Sequence, residues 1–502
     1  MKHGTRKAGI LLPVSALPSP FGIGCFSKEA YRFVDKLAES GQSFWQILPL
    51  TPTAFGDSPY QSPSAFAGNP YFLDLEGLVE EGLLSREECE NALGASPADR
   101  VDYGLQYRAR LPLLRLAASR FQGFESKPYL EFLEKNREWL LDYALFMALK
   151  DFFGGAPWQA WREDLRRRDP DALKEARESF RNEIEAWCFL QFRFSVEWGR
   201  LRDYANGKGI RIIGDLPIYV SADSADVWAN RELFLLDEAG NPLRVAGCPP
   251  DDFSPDGQLW GNPLYRWEVH RRGDYAWWIS RLSAAFSLYD VVRIDHFRGF
   301  DSYYSIPAGE TTARNGRWEK GIGDELFRVA EEELGHREIL AEDLGYMTDS
   351  VRALLDRCGF PGMKILQFGF GGSAEDFSSP DLPHHYPAHC VAYTGTHDNA
   401  TLREWLASAS PSEWEKARDY LWMGNTSDEA IARSLIAALM RSPAELCIVP
   451  LWDYLSLGAE ARMNTPASAN GNWQWRVRGE LLTDNLFEEI RRFATIGSRR
   501  GS

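Results

Sequence analysis

The stretch VRIDHFRG, residues 292–299, closes what reads as a β-strand with an acidic residue, and the pattern returns at AEDLG, 341–345, and at YTGTHDN, 393–399. Residues two apart on a strand share a face, so Arg293 and Asp295 project together. A guanidinium beside a carboxylate favours its ionised form. An ionised carboxylate facing a second, protonatable one is the arrangement that cleaves glycosidic bonds through a covalent sugar intermediate.

Working outward, short apolar, β-branched or aromatic runs bounded by turn residues fall at 8–13, 44–50, 210–216, 289–296, 337–342, 363–370, 390–396 and 446–452. Helical patterns lie between most of them, for example at 28–40 and 349–357, as parallel strands require. Eight such runs predict an α/β fold, the (β/α)8 TIM barrel. Two connections are much longer. The segment at about 75–208 is rich in helix formers, with an apolar stretch at 139–153 closed by Gly154 and Gly155, and reads as a large helical insertion after strand two. The segment at about 245–267, VAGCPPDDFSPDGQLWGNPLYRW, is rich in Pro and Gly and reads as an irregular, lid-like rim loop. About 50 residues follow the eighth run, too few for a C-terminal β-sandwich of roughly 100 residues. Residues 1–502 are therefore expected to form a single catalytic barrel.

Active sites in this fold sit at the C-terminal ends of the strands. Asp295 ends strand four, Glu342 strand five and Asp398 strand seven, and Asp215 in IIGDLPIYV, 212–220, adds a fourth acid at the end of strand three. An Asp after a strand is also a common helix cap, so each acid alone has a structural reading. In AEDLG the two acids point to opposite faces, and the residues by themselves do not choose between Glu342 and Asp343. His296 and His397 adjoin two of the acids and are placed to hydrogen-bond sugar hydroxyls. His384, His385 and His389 in DLPHHYPAHC lack HxxxH spacing and read as a loop. The GFGG run at 369–372 lacks a P-loop Lys and Ser, so neither a nucleotide cofactor nor a metal site is implied. Magnesium held by Asp215, Asp295 and Glu342 is the competing chemistry, and Arg293 beside Asp295 opposes it. A non-catalytic glucan-binding protein would keep the aromatics without needing all three acids.

Aromatic residues make up 13% of the chain, 18 of them Trp. Tyr60, Trp260, Trp473 and Trp475 fall in predicted rim loops, where flat rings can stack on sugar C–H faces, whereas Trp139, Trp187 and Trp198 sit in helical patterns and read as packing. The 56 Lys and Arg against 72 Asp and Glu give a net charge of -16, which attracts neither nucleic acid nor an anionic membrane. The apolar run at 8–12 is stopped by Pro13 and lacks a signal-peptide core, and no apolar stretch is long enough to span a bilayer. Seven cysteines without a CxxC pair fit a reducing, cytosolic setting.

Eight strings in order, RKAGILLPVSALPSPFGIG, GDSPYQSPSAFAGNPY, IIGDLPIYV, PPDDFSPDGQLWGNPLY, VRIDHFRG, AEDLG, TGTHDN and GNWQWR, span about residues 6–480. Together they make the chain resemble the 4-α-glucanotransferases, also called amylomaltases or disproportionating enzymes, glycoside hydrolase family 77 of the α-amylase superfamily. The resemblance implies transfer of an α-1,4-glucan segment to the 4-hydroxyl of glucose or a maltooligosaccharide, with retention. It makes Asp295 the nucleophile, Glu342 rather than Asp343 the acid and base, and Asp398 the stabiliser of the distorted sugar. It gives Arg293 the orienting of Asp295, places Asp215, His397 and Tyr60 around the attacked glucose, and draws Trp260 and Asn464 from flanking loops. An α-glucan hydrolase would use the same site. Trp452 and His385 depart from the family pattern, and both are expected near the rim, where they bear on subsite preference.

Overall fold

The computed structural model describes residues 6–250, 254–424, 426–468 and 470–501. Its twelve strands, numbered in chain order, are β1 Lys7–Leu11, β2 Phe44–Gln46, β3 Arg211–Pro217, β4 Arg244–Cys248, β5 Gln258–Pro263, β6 Val291–Asp295, β7 Ser302–Pro307, β8 Arg317–Lys320, β9 Ile339–Ala341, β10 Gly362–Ile365, β11 Cys390–Tyr393 and β12 Leu446–Pro450. Eight form one parallel sheet in the order β10-β11-β12-β1-β2-β3-β6-β9. They correspond one for one to the eight runs read from the sequence. Most of these strand residues are buried on both faces, because helices cover the outside and side chains fill the inside.

The two ends of this sheet are joined at a seam. The Ala341 N–H donates to the Pro361 carbonyl at 3.0 Å, and the Met363 N–H donates to Asp343 Oδ1 at 2.6 Å. The eight strands thus curl into a nearly closed (β/α)8 barrel. A Cβ on Gly214 would stand 2.1 Å from the Tyr289 ring, so only glycine lets that ring lie against β3.

Helices occupy the long connection between β2 and β3. Arg137–Phe152 is buried along much of its length, and the 27-residue helix Arg181–Gly207 runs back into β3. Within the latter, Arg193 bridges Glu81 at 2.8 Å and Glu197 at 3.1 Å, and Glu197 also accepts the Asp74 N–H at 2.8 Å.

The segment read as an irregular loop differs from that expectation. Residues 244–263 supply β4 and β5, which pair antiparallel and extend through β7 and β8 into a second sheet of order β5-β4-β7-β8. A register shift between Val245 and Gly247 bends the pair, which is why its sequence lacks clean alternation. Asp251, Asp252 and Phe253, part of the same segment, lie outside the described residues. After β12 come short helices and the helix Asp484–Ile496, with no further strand among the described residues. No helix among the described residues is long and apolar enough to cross a membrane.

Candidate active site

β3 and β6 run side by side with Asp215 opposite Arg293 and Pro217 opposite Asp295, so the three charged side chains share the inner face. Arg293 Nη1 donates to both oxygens of Asp215, at 2.8 and 2.7 Å, and to Asp295 Oδ1 at 3.1 Å. Burial opposes the charge on Arg293, but Asp215 and Asp295 outweigh it and hold the guanidinium firmly protonated. The Arg293 side chain is 3% exposed and that of Asp295 28%, so Asp295 is the member of this set that opens to a ligand. Asp215 sits within β3, two residues before its end, and its carboxylate serves as the buried anchor of Arg293.

Glu342 follows β9 directly. Ile294 pairs with Ala341, and the Glu342 N–H donates to the Ile294 carbonyl at 3.0 Å, so Asp295 and Glu342 leave adjacent strands at the same level. His296 turns the chain with φ 51° and ψ 47°, a left-handed conformation that costs a histidine energy and marks a constrained site. That turn aims the His296 N–H at Glu342 Oε2, 2.7 Å away, while the Leu344 N–H bonds Oε1 at 2.9 Å. Asp343 points the other way and is engaged at the seam by Met363. The two neighbouring acids therefore have separate surroundings, as strand alternation requires.

Burial pushes both Asp295 and Glu342 upward from the ordinary carboxylate range, and Arg293 pulls against it. Direct contact with Arg293 belongs to Asp295 and opposes the burial that raises it, while the His296 and Leu344 N–H donors oppose the same effect on Glu342.

Tyr60, His397, Asp398 and Asn464 complete the network. The Tyr60 hydroxyl donates to Asp215 Oδ2 at 2.7 Å and sits 2.9 Å from His397 Nε2, and the two rings stack at 5.4 Å and 15°. Burial lowers the His397 pKa, so its imidazole is neutral. With the Tyr60 proton committed to Asp215, Nε2 carries the hydrogen. Asn464 Nδ2 donates to Asp398 Oδ1 at 2.6 Å, and the Asn464 N–H donates to the His397 carbonyl at 3.0 Å.

The loop bearing Asp398 is held from beneath by Asp453, which accepts the Thr394 hydroxyl at 2.6 Å and the Leu402 N–H at 2.8 Å. Burial pushes its pKa up to about 7. The sequence reading gave Asp453 no role, although its place three residues after β12 makes it another strand-end acid.

Trp260 lies on β5, paired with β4 in the second sheet, rather than in a loop. Its ring meets His296 edge-on at 4.8 Å. Trp473 is 6% exposed and stands 5.6 Å from Tyr60, backing the site from within rather than offering the open platform expected of it, and Trp475 is 8% exposed and packs edge-on against Trp452 at 5.8 Å. Trp475 is therefore a packing residue, contrary to the stacking role expected of it. Trp452 is 2% exposed and lies in the interior beneath the rim, not at the rim where it was expected to bear on subsite preference. His385 Nε2 lies 3.1 Å from the Phe377 carbonyl, His384 Nδ1 3.2 Å from the Tyr420 hydroxyl and His389 Nε2 3.1 Å from the Gly359 carbonyl, so the three imidazoles serve separate partners. Among the described residues no group of three or more His, Cys, Asp and Glu side chains is arranged to hold a metal.

Glycoside hydrolase family 77, described as 4-alpha-glucanotransferase, matches residues 12–483. The chain is 45% identical over 488 residues to a 4-alpha-glucanotransferase of Clostridium butyricum, covering 97% of this chain and 99% of that protein. It is 48% identical over 494 residues to one of Thermus thermophilus, covering 96% of each. Among solved structures, amylomaltase from Streptococcus agalactiae in complex with acarbose is similar with a TM-score of 0.95 and 41% identity, over 99% of this chain and 100% of that one.

Proposed function

Because the chain belongs to glycoside hydrolase family 77 and is an enzyme of the 4-α-glucanotransferase class, we propose that Asp295, Glu342 and Asp398 carry the transfer by retaining double displacement. The observation that carries this assignment is the asymmetric pair, an Asp295 in contact with Arg293 beside a half-buried Glu342 that is held instead by two backbone N–H groups.

Neighbouring strands lie about 4.8 Å apart, and two carboxyls at one level on such strands suit the retaining separation of roughly 5–5.5 Å. In the first step an Asp295 oxygen bonds to the anomeric carbon as Glu342 gives its proton to the departing glycosidic oxygen. The leaving sugar carries that proton away, and the remaining chain is an ester of Asp295. In the second step Glu342, now ionised, takes the proton from an acceptor 4-hydroxyl, whose oxygen displaces the ester. Two inversions keep the α-1,4 configuration. Its two backbone donors, from His296 and Leu344, steady the ionised form that the second step requires.

Asp398, positioned by Asn464, faces the sugar whose ring flattens in the transition state and stabilises its positive charge. Tyr60, tied to Asp215 and His397, presents its ring to the same sugar, and Trp260 holds the glucan from the second sheet. His296 Nε2 is buried without a protein partner and is available to a sugar hydroxyl. Maltooligosaccharides serve as donors, with glucose or a shorter chain as acceptor. The residues work as one catalytic barrel to which the insertion at about 75–208 is packed, and the seven free cysteines suit a cytosolic setting.

The roles are tested by intact-mass and peptide mapping of Glu342→Gln incubated with a maltosyl fluoride donor. This donor needs no acid to leave, and the variant lacks the base that clears the ester, so a maltosyl adduct should accumulate on the peptide containing Asp295. An adduct on another carboxylate would overturn the assignment.

A further inference from the structure

Asp398 is partly exposed, so hydrogen bonds rather than close packing set the direction of its carboxylate. Asn464 Nδ2 meets Oδ1 at 2.6 Å, and His397 Nε2 stands 3.3 Å from Oδ2. The shorter contact comes from a residue on irregular chain, between the turn Ala459–Ala461 and Trp473. No helix or strand therefore fixes Asn464, and its aim depends on what grips its backbone.

That grip is Arg462. Its Nε donates to the Asn464 carbonyl at 3.1 Å, while the Asn464 N–H donates to the His397 carbonyl at 3.0 Å. Both peptide groups beside the Asn464 Cα are thus engaged, which fixes the direction in which its side chain leaves the backbone. The guanidinium is anchored in turn, because Arg462 Nη1 donates to Glu404 Oε1 at 3.0 Å. Glu404 belongs to a reciprocal cap at the start of the helix Leu402–Ser408. Its N–H donates to Thr401 Oγ1 at 3.1 Å, and its Oε2 accepts the Thr401 N–H at 3.3 Å. One carboxylate oxygen serves the cap and the other serves the arginine. The chain of bonds leaves the rim loop at Asp398, passes through Asn464, Arg462 and Glu404, and returns to the same loop at Thr401.

We propose that Arg462 is a positioning residue for the transfer reaction: by holding the Asn464 carbonyl and the Glu404 carboxylate on one guanidinium fork, it fixes the amide that aims Asp398 at the sugar. This rests on the reading above of Asp398 as the group that stabilises the transition state. The proposal separates turnover from stability. The Arg462–Glu404 pair is partly exposed, and such pairs contribute little to folding. A misaimed Asp398, in contrast, loses a contact that counts most in the transition state. A purely structural role for Arg462 predicts the reverse, a lower denaturation midpoint with kcat unchanged.

The test is a double-mutant cycle on maltotriose with Arg462→Ala, Asn464→Ala and the two combined, each checked by its denaturation midpoint. Arg462→Ala should lower kcat about tenfold while changing KM less than about twofold. In the Asn464→Ala background the same substitution should cost nothing further, because Arg462 acts through Asn464. Should Arg462→Ala fail to fold, Arg462→Lys takes its place in the cycle with the same expected pattern, since lysine keeps the charge beside Glu404 and lacks the fork. An unchanged kcat, or a fall by the same factor with and without Asn464, would overturn the proposal. Asp398→Asn reports on the catalytic reading alone. Near-parental activity in that variant would remove the reading itself, whereas an inactive Asp398→Asn beside a normal Arg462→Ala would remove only the positioning role.

Discussion

Three oxygens on one guanidinium nitrogen set the character of this site. Arg293 is satisfied by Asp215 from behind and by Asp295 in front, so the charge needed for attack is held in place before any sugar arrives. Asp295→Asn keeps the shape and removes the nucleophile, and kcat on maltotriose should fall by ~10⁴ or more. Glu342→Gln should lower it by about 10²–10⁴. The pH dependence has a defined sign. Attack requires Glu342 protonated and Asp295 ionised, and burial raises Glu342 above its ordinary value of 4.5. The alkaline fall of kcat/KM should therefore lie above that value and disappear in Glu342→Gln assayed with an activated fluoride donor, while the acid fall follows protonation of Asp295. These acids were legible in the sequence because each ends or follows a strand beside an Arg, His or second acid. The choice of Glu342 over Asp343 was not legible from the residues alone, since it depends on which face meets the seam. The left-handed turn at His296 was equally hidden, because nothing local in DHF demands it.

At the scale of elements, the half-buried carboxylate of Asp343 supports the sheet seam and the buried carboxylate of Asp453 supports the loop that carries Asp398. Asp343→Ala leaves the Met363 N–H without its acceptor and should cost about 1–3 kcal/mol, read as a lower denaturation midpoint at unchanged slope. Asp453→Asn retains one of two acceptors, and the loss of the other should loosen the 394–402 loop and lower kcat more than it changes KM. Trp260→Ala removes a platform on β5 and should raise KM with a smaller effect on kcat. The barrel strands were legible because parallel strands buried on both faces are continuous apolar runs. The second sheet was not. Its strands are interrupted by Gly and Pro, one pair is bulged, and β8 is mostly exposed, so neither periodicity nor apolar runs announce it. Trp475 illustrates the same limit for single residues, since only the packing of Trp452 beneath it distinguishes a buried ring from a binding platform.

For the molecule as a whole, the barrel gathers nine residues from β3, β5, β6 and several rim loops into one connected network, with Tyr60, Asp215, Arg293, Asp295, His397, Asp398 and Asn464 linked by side-chain bonds and Glu342 and Trp260 joined through His296. Arg293 already bridges the carboxylates that a magnesium ion would require, so activity should be unchanged after treatment with a chelator; loss of activity that magnesium restores would revive the metal reading. The central claim is that a sugar hydroxyl, rather than water, resolves the Asp295 ester. Incubation of the purified protein with maltotriose, with products resolved by chain length, tests it most directly. The account predicts glucose together with a ladder of maltooligosaccharides longer than the substrate, absent from Asp295→Asn. Glucose and maltose alone, with no longer product at any time, would contradict it.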